Sequence, residues 1–216
     1  MDAGTWRALE AWLSSFPSVA TLAIAFVLVM LWLRRPLILG RLEPVRLGPG
    51  QTPADLEAYA GQFQADLADK GFRPIGDYQT VHGPSPSFTR FFYHGDGEIF
   101  AEAQVYRGLR GLIFKRDLRM LTFFSVLADG TGIFTGNQSL PDGGASAAPG
   151  MVMRGLTSHS VTELLEYHRQ NVEVCVEQQR SQPLSYAPEQ VPEISHYYTQ
   201  YQRDHFALRG AVTAAS

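Results

Sequence analysis

Six histidines, one cysteine and a short run of serines are the residues of this chain whose types could do chemistry, and their spacing argues against most of it. The histidines stand at His82, His94, His159, His168, His196 and His205. No two are three or four apart on a predicted helix, the spacing that brings two imidazoles to one metal. His196 and His205 are nine apart, which turns them about 180° from each other. No metal site is expected, and no cofactor: GxGxxG, P-loop, GxSxG, HExxH and CxxC motifs are all missing. For nucleophilic catalysis the nearest assembly is Ser158-His159-Ser160 with Asp129 or Asp142 at a distance, but chain neighbours seldom face one another as a triad requires. Ser160 also has a better role as a helix cap. Asp96 and Asp129, a formal carboxylate pair, both sit in Asp-Gly turns. Cys175 falls on an apolar helical stripe and reads as a small core residue; as the lone cysteine it excludes an internal disulfide framework and fits a reducing compartment. No catalytic residue is assigned, and the chain is expected not to be an enzyme.

Two other sets of residues suit docking. Tyr106 to Met120 (YRGLRGLIFKRDLRM) interleaves Arg107, Arg110, Lys115, Arg116 and Arg119 with Leu109, Leu112, Ile113 and Phe114, against Asp117 alone. Such a segment can rest on an anionic leaflet or an acidic partner. The alternative is a hairpin connection whose apolar side chains enter the core while its arginines stay solvated. The second set is Tyr197, Tyr198 and Tyr201. Ile194, Tyr198, Tyr201, His205 and Leu208 recur every three or four residues, and Tyr197 and Phe206 widen the stripe. Tyrosine suits a half-wet interface, because the ring buries area while the hydroxyl keeps a partner. Packing on the chain's own domain is the competing reading.

The element that would place these surfaces is near the N-terminus. Pro17 to Leu33 (PSVATLAIAFVLVMLWL) carries no charge, and Arg34-Arg35-Pro36 follow. Phe16 to Leu33 is 18 residues, roughly 27 Å of helix, which predicts a transmembrane helix over residues 16–35, with a buried core helix as the nearest rival. Trp32, Arg34 and Arg35 belong at one interface. Trp6 and Trp12, with Leu9, Leu13 and Phe16, make residues 1–15 either a short interfacial helix or an irregular extension. A cleaved signal peptide is disfavoured: Asp2 and Glu10 oppose Arg7, and bulky basic residues follow the apolar run. Arg34, Arg35, Arg41 and Arg46 on the C-terminal side against Arg7 on the other predict the N-terminus outside and the larger part in the cytoplasm, at the plasma (inner) membrane. Arginine outnumbers lysine 16 to 2, a bias of GC-rich bacterial genomes. A net charge of −3 argues against nucleic acid as the main partner.

Residues 36–51 read as a juxtamembrane linker with a short strand at Pro44 to Leu47, residues 52–210 as one α+β domain, and 211–216 as a tail. Thr52 to Phe72 predicts a helix with Thr52 as cap, the stripe Leu56, Tyr59, Ala60, Phe63 and Leu67, and Gly71 as terminator. Two hairpins follow, Phe88 to His94 with Glu98 to Tyr106 and Leu118 to Leu127 with Gly132 to Asn137, each turning at Asp-Gly. Ile75 to Val81 adds an edge strand. In Glu98 to Tyr106 the face of Phe100, Glu102, Gln104 and Tyr106 is expected to be partly wet. Leu140 to Gly150 is a small-residue loop. Ser160 and Glu163 form a capping box for a helix to Gln179, and a last helix runs from Pro188 to Arg209, stopped by Gly210. The expected architecture is α+β: a single N-terminal transmembrane helix, then an antiparallel sheet of four or five strands packed on flanking helices. Its element order is similar to helix-grip and cone-shaped lipid-binding folds, an analogy of fold alone. The expected function is a non-enzymatic accessory or scaffolding subunit of a membrane complex, with the bilayer and other subunits as partners. The alternatives are a tethered module for a lipid or other apolar ligand, and a hydrolase-like enzyme with an unrecognised site.

Overall fold

A computed structural model of the chain describes residue 26 and residues 44–82, 85–106, 118–138 and 147–213. The chain divides into two compact units, residues 1–40 and 41–216; Phe26, helical, is the one described residue of the first. The expected transmembrane helix over 16–35, with Trp32, Arg34 and Arg35, and the segment 1–15 with Trp6 and Trp12, otherwise lie outside the described residues. Among the described residues no helix is long and apolar enough to cross a membrane.

Among its described residues the second unit is α+β, with a seven-stranded mixed sheet and three helices. In chain order it contains β1 (Val45–Arg46), α1 (Ala54–Asp69), β2 (Phe72–His82), β3 (Ser85–His94), β4 (Phe100–Tyr106), β5 (Leu118–Val126), β6 (Gly132–Gly136), β7 (Met151–Gly155), α2 (Val161–Gln179), a 3₁₀ turn (Pro188–Gln190) and α3 (Val191–Thr213). The strands lie side by side in sequence order. Every neighbouring pair is antiparallel except β6 and β7, which are parallel.

This corrects the expected four or five antiparallel strands. The short strand in 44–47 is present as β1, and it displaces β2 from the edge. The strand not foreseen is β7: Met151 to Gly155 is brief, follows a small-residue stretch, and reaches β6 by a crossover instead of a hairpin, so no turn signal announces it. Strand β2 also starts earlier than expected. It absorbs Pro74 and Gly76 in a bulge between them, a device that relieves residues unsuited to a regular ladder.

The hairpins turn where Asp-Gly places them. Gly97 (φ +76°) and Gly130 (φ +86°) take the left-handed conformation. Asp96 Oδ1 accepts the Glu98 N–H at 3.0 Å and Asp129 Oδ1 the Thr131 N–H at 2.9 Å, so both carboxylates hold their own turns.

All five stripe residues of α1 are buried, and Gly71 ends the helix at φ +87°. Pro53, not Thr52, occupies the cap position. The Thr52 hydroxyl instead donates to Asp77 at 2.5 Å, because a buried ion pair on β2 and β3 competes for it. Ser160 does cap α2, accepting the Glu163 N–H at 3.3 Å. Glu163 gives no return bond; its carboxylate takes the Ser158 hydroxyl at 2.7 Å. Helix α3 runs through Gly210 to Thr213, past its expected stop: an interior glycine costs only about 1 kcal/mol.

Helices cover both faces of the sheet. On one, the α1 stripe and Val161, Leu164 and Leu165 of α2 pack on Phe88, Phe92, Ala101, Ala103, Val105, Leu121 and Phe123. On the other, Val191 and Tyr198 of α3, with Leu184 and Tyr186, pack on Phe91, Phe100, Phe124 and Phe134. The expectation of a partly wet face is therefore corrected: Phe100, Glu102 and Gln104 are buried and Tyr106 is half-buried, since α3 lies over them. Cys175 is a core residue, packed with Leu127 and Ile133.

Candidate functional site

Helix α3 separates the three candidate tyrosines by the turn of the helix. Tyr198 faces inward. Its ring meets Phe134 edge-on at 5.6 Å, its hydroxyl donates to the Gly130 carbonyl at 2.7 Å, and burial pushes that hydroxyl up to about 12. Gly132 makes the fit possible, because a Cβ there would stand 2.7 Å from the Tyr198 ring. Tyr197 faces outward and is 62% exposed; Tyr201 is 37% exposed. Their rings lie parallel with centroids 6.3 Å apart, and the Tyr201 hydroxyl donates to the Pro149 carbonyl at 3.0 Å. An open groove of about 460 Å³ runs beside Tyr197, lined by Val126, Leu184, Tyr186 and Ile194, with Glu193 in its wall. The stripe thus serves two purposes, with Tyr198 fixing the helix and Tyr197 bordering an apolar concavity while its ring lies parallel to that of Tyr201.

Of the basic segment, Arg107, Arg110, Lys115 and Arg116 lie outside the described residues. Arg119 is described: it is exposed at the start of β5, and its carbonyl accepts from Gln138 Nε2 at 2.5 Å. Leu118 beside it is 45% exposed.

The residues considered for catalysis do not converge. Ser158 and Ser160 are occupied at the start of α2, His159 is exposed, and Asp129 holds its turn. Asp142 lies outside the described residues. The structure instead brings together a serine and a histidine that the sequence does not single out as a pair. His168 of α2 is fully buried, with Nε2 3.0 Å from Ser125 Oγ and Nδ1 3.0 Å from Thr135 Oγ1. The direction of the chain follows from its ends. Ser125 Oγ donates to the Glu98 carbonyl at 2.8 Å, so it accepts from Nε2–H. Asn171 Nδ2 donates to Thr135 Oγ1 at 3.3 Å, so the Thr135 hydroxyl is free to donate to Nδ1. The imidazole is neutral, its pKa pushed down to about 3 by burial and then by Arg169. Ser125 and Thr135 are themselves 0% exposed. The assembly braces α2 against β5 and β6 and offers no nucleophile to a substrate.

Glu102 is the second buried ionisable group that the alternating pattern of β4 conceals. It faces α3 between Phe91 of β3 and Thr122 of β5, is 4% exposed, and takes a 2.7 Å hydrogen bond from Ser195 Oγ. Burial raises its pKa to about 7, against the lowering by Ser195. Thr122 Oγ1 is buried and has no hydrogen-bond partner among the described residues. Nearby, between α3 and the sheet, a cavity of about 20 Å³ is lined by Gln104, Tyr106, Ser195 and Thr199 among others. That is room for one water and not for an acyl chain.

Among the described residues no three His, Cys, Asp or Glu side chains gather to hold a metal ion. Comparison with protein-family models, with curated proteins and with solved structures finds no match.

Proposed function

We propose that the chain is a membrane-anchored, non-enzymatic accessory or scaffolding subunit that docks on other subunits of a membrane complex through its α+β domain. The observation that carries this reading is outward-facing Tyr197, which lines the open apolar groove and lies parallel to the exposed ring of Tyr201. Stacked aromatic rings next to an unfilled concavity are the features of an interface centre, where large rigid side chains bury area at low entropic cost. The uncharged run from Pro17 to Leu33 supports the anchor, and the arginines after it support a cytoplasmic domain with the N-terminus outside. The bilayer and neighbouring subunits are the partners of this reading. The basic residues Arg107, Arg110, Lys115, Arg116 and Arg119 supply a second contact, with anionic headgroups or an acidic subunit.

The test is a native gel in mild detergent. Expressed at its natural level, the chain comigrates with a larger species, and the double variant Tyr197→Ala, Tyr201→Ala releases it as a monomer. A wild-type chain that migrates alone sinks the reading. Topology is tested separately in a Cys175→Ser background carrying Gln170→Cys, at an exposed position of α2. An impermeant maleimide labels it only after lysis if the domain is cytoplasmic; strong labelling of intact cells overturns that orientation.

A further inference from the structure

A second open cleft, of about 410 Å³, lies between the β1–β2 edge of the sheet and the turn at Pro188–Gln190. Its floor is apolar and aromatic, from Ile75, Tyr78 and Tyr93, and its cations are Arg46 and Arg73. The local backbone sets the position of Arg46. Strand β1 pairs Arg46 with Tyr78, which sends both side chains to one face. The bulge in β2 then brings the Ile75 carbonyl within 3.2 Å of Arg46 Nη2. Gly76 leaves room for the guanidinium: a Cβ at Gly76 would come 3.3 Å from Arg46 Nε. A guanidinium carries five N–H donors, and among the described residues this one spends a single donor, on Ile75. Arg73 stands opposite Tyr93 in the ladder and is exposed.

Neither arginine forms an ion pair among the described residues. Arg90, two strands from β1, is the contrast: Asp77 and Glu57 engage it fully. Among the described residues the one carboxylate that lines the cleft is Glu189, beyond ion-pair distance of both. Two cations against one anion, over tyrosine rings, make a concavity that is electropositive at its head and apolar in its floor.

The geometry points to a binding cleft for an organic phosphate ester, with Arg46 and Arg73 on the phosphate and the Tyr78–Ile75 floor under the organic body. Guanidinium forks match phosphate oxygens bidentately. Two forks from different strands suit a tetrahedral group with several acceptors better than a planar carboxylate. The phosphate has two possible sources, a lipid headgroup or a soluble ester. The proposal does not depend on the tyrosine surface of α3, whose residues do not line this cleft.

The experiment uses the full chain in mild detergent, titrated calorimetrically with glycerol 3-phosphate, with a short-chain phosphatidic acid, and with the matching diacylglycerol, which lacks the phosphate. The expected result is saturable binding of a phosphate ester and none of diacylglycerol. Arg46→Gln and Arg73→Gln should each weaken it about tenfold, the loss expected of one charge-assisted hydrogen bond. Glu189→Gln should tighten it severalfold. Binding of phosphatidic acid alone assigns the lipid source; binding of glycerol 3-phosphate as well assigns a soluble ester. No saturable binding of either, or binding indifferent to both arginine variants, overturns the proposal. Both arginines are surface residues, so these variants keep the fold. Unchanged comigration of the same variants on the native gel separates failure here from failure of subunit docking.

Discussion

The two faces of the sheet bury similar aromatic cores but treat their polar groups differently. Under α1 and α2, the buried polar side chains are cross-braced. Arg90 holds Asp77 at 2.7 Å and Glu57 at 2.5 Å, and although burial would raise the Asp77 carboxyl, bonds from Arg90 and Thr52 hold it below the usual carboxylate range. His168 is satisfied at both nitrogens. Under α3, among the described residues, Glu102 has one hydroxyl for a partner and Thr122 Oγ1 has none. The first face is closed by complementary chemistry. The second is closed mainly by fit, with Tyr198 over Gly132, and it is this second cover that carries the exposed tyrosines. In the proposed docking, this cover, held by shape over a weakly satisfied acid, is the side that a second subunit would meet.

The largest expected effect lies on the α1–α2 face. His168 is neutral when folded, with a pKa near 3 against 6.5 unfolded. The unfolded chain therefore takes up a proton first, and stability present above pH 6.5 is lost as pH falls towards 3. At about 1.4 kcal/mol per unit the full loss approaches about 5 kcal/mol. Denaturant midpoints across acid pH should show this limb in the wild type, and His168→Gln should flatten it while lowering stability at neutral pH. An acid limb unchanged by the substitution would remove the histidine from the account.

The α3 face should respond with the opposite sign. Glu102 has a folded pKa near 7 against 4.5 unfolded, so the unfolded state ionises first as pH rises. Stability is full below about 4.5 and falls until about 7, by about 3 kcal/mol. Glu102→Gln should abolish this fall between about pH 4.5 and 7 and stabilise the chain at pH 8; a fall that persists would remove Glu102 from the account. Gly132→Ala, which drives a methyl into the Tyr198 ring, should cost about 2 kcal/mol by overpacking, read as a lowered melting temperature. The smallest effect is Tyr197→Ala. It should change stability by less than about 0.5 kcal/mol, so any loss of comigration it causes on the native gel reports the docking surface and not the fold.

The same contrast explains what could be read from residues alone. The hairpins, the α1 stripe, the Ser160 cap and the core position of Cys175 rest on neighbours a few residues apart, and the pattern shows them. The bracing pairs do not: Ser125 and His168 are 43 residues apart and Glu102 and Ser195 are 93 apart, and nothing local in β4 says which helix will cover its polar side. Strand β7 escaped because a parallel partner needs no turn. The tyrosine stripe was legible as a stripe, but its division into one anchoring and two outward rings depends on where Gly132 lies. The Arg46–Arg73 cleft had half a signal: Arg46 was visible as a juxtamembrane cation, while the bulge that positions it appears only in the ladder.

Helix α3 follows all seven strands in sequence, so during synthesis on the ribosome the residues of the whole sheet are made before those of its second cover. For that interval Phe91, Phe100, Phe124 and Phe134 form a bare aromatic surface, the kind of surface on which nascent chains aggregate or recruit chaperones. Glu102 sits in the middle of it. In water its carboxylate has the ordinary value of 4.5 and is charged at neutral pH, a charge that this otherwise aromatic surface carries until Ser195 and the rest of α3 cover it.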